Sequence, residues 1–177
     1  MAPTVTRPVT ASGGTVRKIG PGGQSLAKWS PDAKARQAVV AAVTPGSPGD
    51  LHLLDLATGR QRQLTDYNRD YLAGHPPAKL EKFSVKRKGF EIECRVWLPP
   101  DFSPRRKHPM VLDIHGGPAG VFYDAFSPFH QIPATAGYVV FAVNPRGSAS
   151  YGNDCAGAGE GEWGEEDYQD LMAAVDT

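Results

Sequence analysis

The stretch that most constrains this chain is Val111-Leu112-Asp113-Ile114-His115-Gly116-Gly117-Pro118. Its first four residues read as a buried strand, an apolar run bounded by turn residues. The strand stops in a histidine, two glycines and a proline. Two glycines placed directly after a strand let the backbone bend sharply and approach another group closely. A second apolar run, Gly137–Val143, also reads as a buried strand and ends in Asn144-Pro145-Arg146-Gly147-Ser148. In open α/β folds, ligands collect at that carboxyl edge of the sheet.

The segments before this stretch have a different texture. Residues 1–28 are rich in Gly, Thr and Pro, with at most one short strand near Thr15–Ile19. Trp29-Ser30-Pro31-Asp32 reads as a turn, Gln37–Val43 as a strand and Pro45–Asp50 as a loop. Asp50–Leu56 alternates, Thr58-Gly59 is a tight turn, and Arg60–Thr65 alternates again. Strand, loop, strand, tight turn, strand is the layout of one antiparallel propeller blade. Residues 67–80 show little periodicity and read as a linker.

From Glu81 the pattern sharpens. Lys82–Arg87 alternates and Lys88-Gly89 is a hairpin turn. Phe90, Ile92, Cys94, Val96 and Leu98 then fall on one face, with Glu91, Glu93, Arg95 and Trp97 on the other, as in a half-buried strand. Phe122–Ala136 predicts a loop and a short helix limited by Pro128 and Pro133. Residues 149–162 form a Gly-rich loop. Trp163-Gly164 opens a helix whose first turn holds Glu165, Glu166 and Asp167, where the macrodipole favours anions. Tyr168, Leu171, Met172 and Val175 make its apolar stripe. The pattern breaks off at Thr177 with no C-cap, so the polypeptide is expected to be incomplete.

Charge and cysteine usage narrow the classes. Nineteen basic residues balance nineteen acidic ones, so no long-range field favours nucleic acid or an anionic membrane. No apolar run nears the length of a membrane span, and the first seven residues lack the apolar core of a signal peptide. Cys94 and Cys155 are too few for a disulfide framework and have no partner at metal spacing. They read as free thiols of a reducing compartment, the cytoplasm. No metal and no cofactor is expected.

The order of motifs over roughly the last hundred residues resembles the start of the catalytic domain of the prolyl oligopeptidase family of serine peptidases, most nearly its acylaminoacyl-peptidase and dipeptidyl-peptidase-like members. The matching residues are Trp97-Leu98-Pro99-Pro100, Leu112–Pro118, Gly137-Tyr138, Asn144–Ser148, Tyr151-Gly152 and Trp163–Leu171. The resemblance implies a fold class of α/β: the N-terminal half of an α/β-hydrolase domain preceded by a terminal β-propeller blade. It implies last blade(s) of a propeller over residues 1–66, a linker over 67–80, and the N-terminal part of a hydrolase domain over 81–177.

In α/β-hydrolases a His-Gly-Gly loop lends a backbone N–H to the oxyanion hole, aimed at the oxygen that becomes negative during acyl transfer. The resemblance assigns that N–H to Gly117 and leaves the bend to Gly116. His115 and Arg146 are candidates to line the active site. Arg146 is open to two uses: a grip on a peptide carboxylate or carbonyl, or an ion pair with the acidic stretch Glu160–Asp170. Ser148 and Ser150 read as loop serines, Asp113, Asp167 and Asp170 as structural carboxylates, and His52, His75, His108 and His130 as surface or packing residues.

The family's triad follows the order Ser, Asp, His, with the serine on a Gly-x-Ser-x-Gly-Gly elbow. No Gly-x-Ser-x-Gly occurs in this chain. The expectation is therefore a fragment of a peptidase that cleaves short peptides through an acyl-enzyme, inactive by itself because the triad lies past Thr177. Short peptides are the expected partners, with no nucleic acid and no membrane. Two alternatives stand beside it: a non-catalytic α/β binding module, and an esterase-like α/β-hydrolase fragment.

Overall fold

The computed structural model describes residues 18–117 and 119–177. Most of the strand expected near Thr15–Ile19, and Pro118 of the glycine turn, lie outside them. Two compact units are present. One holds the described residues up to Pro77 together with Tyr123–Ser127, and the other holds Ala78–Phe122 and Pro128–Thr177.

The first unit is built on a four-stranded antiparallel sheet in chain order: β1 (Ser25–Pro31), β2 (Gln37–Thr44), β3 (Ser47–Asp55) and β4 (Gln61–Gln63). The turn expected at Trp29–Asp32 starts later than the sequence suggests. Trp29, Ser30 and Pro31 pair with Val40, Val39 and Ala38, and Asp32 makes the turn by accepting the N–H groups of Arg36 and Gln37. Pro31 is tolerated because it closes an edge strand. The loop expected over Pro45–Asp50 shrinks to Pro45-Gly46, since Thr44 already pairs with Ser47. The Thr58-Gly59 turn is present. Gly59 has φ +75°, and Asp55 Oδ1 accepts the N–H groups of Ala57 and Thr58. Ile19, Ala38, Val40 and Leu54 form the core. The residues expected as a linker are ordered: Arg69–Gly74 is a short helix, α1.

The second unit is a mixed sheet between helices. Its strands are β5 (Lys79–Arg87), β6 (Phe90–Leu98), β7 (Met110–Asp113) and β8 (Val139–Asn144), in the spatial order β5-β6-β8-β7. Among the described residues only β7 and β8 run parallel; β6 pairs antiparallel with both β5 and β8. Lys88-Gly89 turns β5 into β6 with both residues at positive φ, as a two-residue hairpin of that handedness requires. The helices are α2 (Pro128–Thr135), α3 (Asn153–Gly157) and α4 (Glu166–Val175). α3 lies inside the segment expected to be a plain Gly-rich loop.

Two apolar layers flank this sheet. Ile92, Cys94, Phe141 and Val143 pack with Leu171 and Ala174 of α4. Ala78, Trp97, Val140 and Ala142 pack with Ala134 of α2. Both faces of β6 are thereby covered, which corrects the half-buried reading of its alternation: Glu93, Arg95 and Trp97 are buried like Ile92 and Cys94. The opposite correction applies to β7. It takes the outer position in the sheet, and Met110 and Val111 stay 48% and 38% exposed. Apolar composition alone does not distinguish a central strand from an outer one.

Candidate active site

The loop after β7 leaves the carboxyl end of the parallel pair β7–β8, beside the loop that leaves β8. Residues of both loops line a cavity of about 250 Å³, including Ile114, His115, Gly117 and Arg146, with Trp163 and Leu171 completing the wall. The sequence candidates Gly116, Gly117, His115 and Arg146 are thus brought to one place.

Gly116 and Gly117 are both exposed. A side chain at Gly116 would meet nothing within 4 Å, whereas a Cβ at Gly117 would stand 3.1 Å from the indole of Trp163. The sequence predicts Trp163 to open a helix, which begins instead at Glu166. Trp163 lies over Gly117 and remains 63% exposed.

Gly120 is the glycine that sequence reasoning passed over. A Cβ there would overlap the carbonyl oxygen of Gly116 and come 2.6 Å from Nδ1 of His115. The loop folds back on itself so closely that only hydrogen fits. A glycine three residues beyond His-Gly-Gly was the available signal.

His115 sits 2.9 Å from Ser148 through Nε2 and 3.1 Å from the Gly116 carbonyl through Nδ1. A histidine beside a serine invites comparison with a nucleophile–base pair. The geometry argues otherwise. Ser148 is fully buried, and its hydroxyl donates to the Pro145 carbonyl at 2.6 Å. Its oxygen lies within hydrogen-bond distance of the His115 ring, so the pair ties the two loops together. Ala149 adds a second tie by donating its N–H to the Gly120 carbonyl at 3.1 Å.

Arg146 lines the cavity, yet its guanidinium is committed. Nε and Nη2 donate to the two carboxylate oxygens of Asp170, each at 2.8 Å, and the Arg146 backbone N–H adds a bond of 3.0 Å. Of the two uses left open by the sequence, the structure contains the ion pair with the acidic stretch. The guanidinium also lies over the ring of Phe90 at 4.9 Å. Arg87 donates to Asp170 and Glu166, and Lys88 to Glu166. Burial alone would raise the Asp170 carboxyl; the hydrogen bonds from Arg146 and Arg87 outweigh it and hold the group below the usual carboxylate range.

Asp113 and His130 form a second pair, with Nε2 of His130 2.7 Å from the carboxylate. His130 is buried and packs against Trp97, ring centroids 4.0 Å apart with the planes tilted by 33°, which fits the packing role expected of it. Among the described residues, no cluster of three or more His, Cys, Asp or Glu side chains is arranged to hold a metal ion, and no helix is long and apolar enough to cross a membrane.

The fold of the second unit and this glycine loop define an α/β unit with a candidate active site at the carboxyl end of a parallel strand pair. Residues 125–177 match the model of the prolyl oligopeptidase family. The chain is related to that family, as its motifs suggested.

An uncharacterized peptidase of Bacillus subtilis (strain 168) is 32% identical over 83% of this chain and 22% of its own length. Dipeptidyl-peptidase 5 of Aspergillus fumigatus is 35% identical over 57% of this chain and 14% of its own. Among solved structures, the acylaminoacyl peptidase of Pyrococcus horikoshii is 30% identical over 92% of this chain and 26% of its own, with a TM-score of 0.82. An acylaminoacyl peptidase in complex with Z-Gly-Gly-Phe-chloromethyl ketone gives 30% identity and a TM-score of 0.83. The chain therefore spans about a quarter or less of the length of these relatives.

Proposed function

We propose that this chain is part of a serine peptidase that hydrolyses short peptides through an acyl-enzyme, and that it contributes the oxyanion corner. In this reading residues 1–66 are the last blade(s) of a β-propeller, 67–80 connect, and 81–177 are the front of an α/β-hydrolase domain. Gly117 offers its backbone N–H to the developing oxyanion. Gly116 gives the bend, and His115 and Arg146 line the site. Arg146 does so through its ion pair, by holding the β8 loop in place rather than by gripping substrate.

One observation carries the reading. Gly116 and Gly117 lie exposed at the carboxyl end of a strand in a parallel pair, at the mouth of a cavity. A complex of one structural neighbour with a peptide chloromethyl ketone supports a peptide as the substrate class. The two cysteines are free, which supports the cytoplasm as the compartment.

No Gly-x-Ser-x-Gly is present, and Ser148 is buried with its proton engaged. The 177-residue chain is therefore expected to give no labelling with a fluorophosphonate probe of active-site serines. Stoichiometric labelling would overturn the inactivity and point to the esterase-like alternative.

A further inference from the structure

We propose that Asn144 is a positioning residue for the glycine loop: it clamps Phe122, the residue on which the loop ends, and is itself held in orientation by Tyr151 and Glu93. The inference takes its catalytic meaning from the reading of Gly117 above. Its structural content stands on separate observations.

Asn144 is the last residue of β8 and is buried. Its Oδ1 accepts the Phe122 N–H at 2.8 Å, and its Nδ2 donates to the Phe122 carbonyl at 3.2 Å. One side chain thus satisfies both backbone groups of a residue in no strand, as a neighbouring strand would. Nδ2 also donates to the Tyr151 hydroxyl at 2.8 Å. That hydroxyl donates in turn to the carboxylate of Glu93 on β6. Glu93 is buried and paired with Arg95 at 3.0 Å. Burial, then the bond to Glu93, pushes the Tyr151 hydroxyl up to about 12, so it keeps its proton at neutral pH.

The chain of donors has one direction. A carboxylate only accepts, so the tyrosine spends its single proton on Glu93 and offers Asn144 only lone pairs. Asn144 must then present its NH₂ to Tyr151, which leaves Oδ1 for the Phe122 N–H. The ring of Phe122 meets His115 edge-on at 5.2 Å and His130 at 5.5 Å. Fixing Phe122 therefore also fixes the ring beside the first residue of the loop.

The test is amide hydrogen exchange, read by NMR on the ¹⁵N-labelled 177-residue chain. Asn144→Leu, of similar volume, removes both polar atoms. Exchange at the Phe122 N–H is expected to rise about tenfold and the Gly117 amide resonance to move. The β8 amides of Val140 and Val143 should stay within about twofold of the parent. Asn144→Asp keeps the acceptor for the Phe122 N–H but sets a second oxygen against the Phe122 carbonyl and the lone pairs of Tyr151, so Phe122 should stay as unprotected as in the Leu variant. Should Asn144→Leu not fold, Tyr151→Phe decides, with faster exchange at Phe122 but not in β8 expected. Unchanged exchange at Phe122 in the Leu variant, full Phe122 protection in the Asp variant, or a rise shared by β8 would each overturn the proposal. Serine-probe labelling of the chain would sink the functional reading above and leave this result standing.

Discussion

Asp170 takes three hydrogen bonds from Arg146, two from the guanidinium and one from the backbone N–H. This single carboxylate pins the loop that leaves β8 onto helix α4. Because Asp170 is fully buried and Arg146 nearly so, losing one partner strands the other charge away from water.

Asp170→Ala is therefore expected to destabilise the second unit by about 3–5 kcal/mol. Urea unfolding followed by circular dichroism measures it. A loss below about 1 kcal/mol, the size of an ordinary surface pair, would show that the network is dispensable.

The same carboxylate sets a pH response. Its folded value lies below the usual range, so it stays ionised in the folded chain where an unfolded chain would take up a proton. The stabilisation is fully present above about pH 4 and fades as pH drops through the lowered folded value. Glu166 adds in the same direction, held low by Lys88 and Arg87. The urea midpoint should fall between pH 6 and pH 3, with a smaller fall in Asp170→Asn.

The glycines of the loop make a contrasting pair. Gly120→Ala forces a Cβ into the Gly116 carbonyl and the His115 ring, and should cost about 1–3 kcal/mol. Gly116→Ala meets open space and should stay within about 0.5 kcal/mol of the parent. Matched thermal melts of the two variants check this; equal costs would mean that the loop relaxes freely.

The two thiols should differ in reactivity. Burial, with the Glu93 charge beside it, pushes the Cys94 thiol up to about 12, and the side chain has no exposed surface. Cys155 is only partly buried. Native chain treated with iodoacetamide at pH 8 should label at Cys155 first, and Cys94 should react only once the protein unfolds. Mass spectrometry of the tryptic peptides reads the order.

Much of this was legible in the residues. The alternation from Phe90 to Leu98, the Lys88-Gly89 turn and the stripe of α4 follow from local periodicity, and the structure contains each of them. Juxtaposition was not legible. Nothing local tells that Ser148 receives His115, that Asp170 rather than a ligand takes Arg146, or that Trp163 lies over Gly117, since each pair is joined only by the sheet order. The same limit explains β6 and β7. Glu93 is buried on β6 because Arg95 and the Tyr151 hydroxyl meet its carboxylate. The apolar residues of β7 stay partly exposed, since among the described residues the strand pairs with β8 alone.

That outer strand has a practical consequence. The flank of β7 turned away from β8 offers a row of backbone donors and acceptors between the exposed side chains of Met110, Val111 and Ile114. Such a rim is adhesive toward any other extended segment. Molecules of this chain held at high concentration should zip together there, and light scattering that grows with concentration would be its signature. Replacing Val111 with lysine should quiet it.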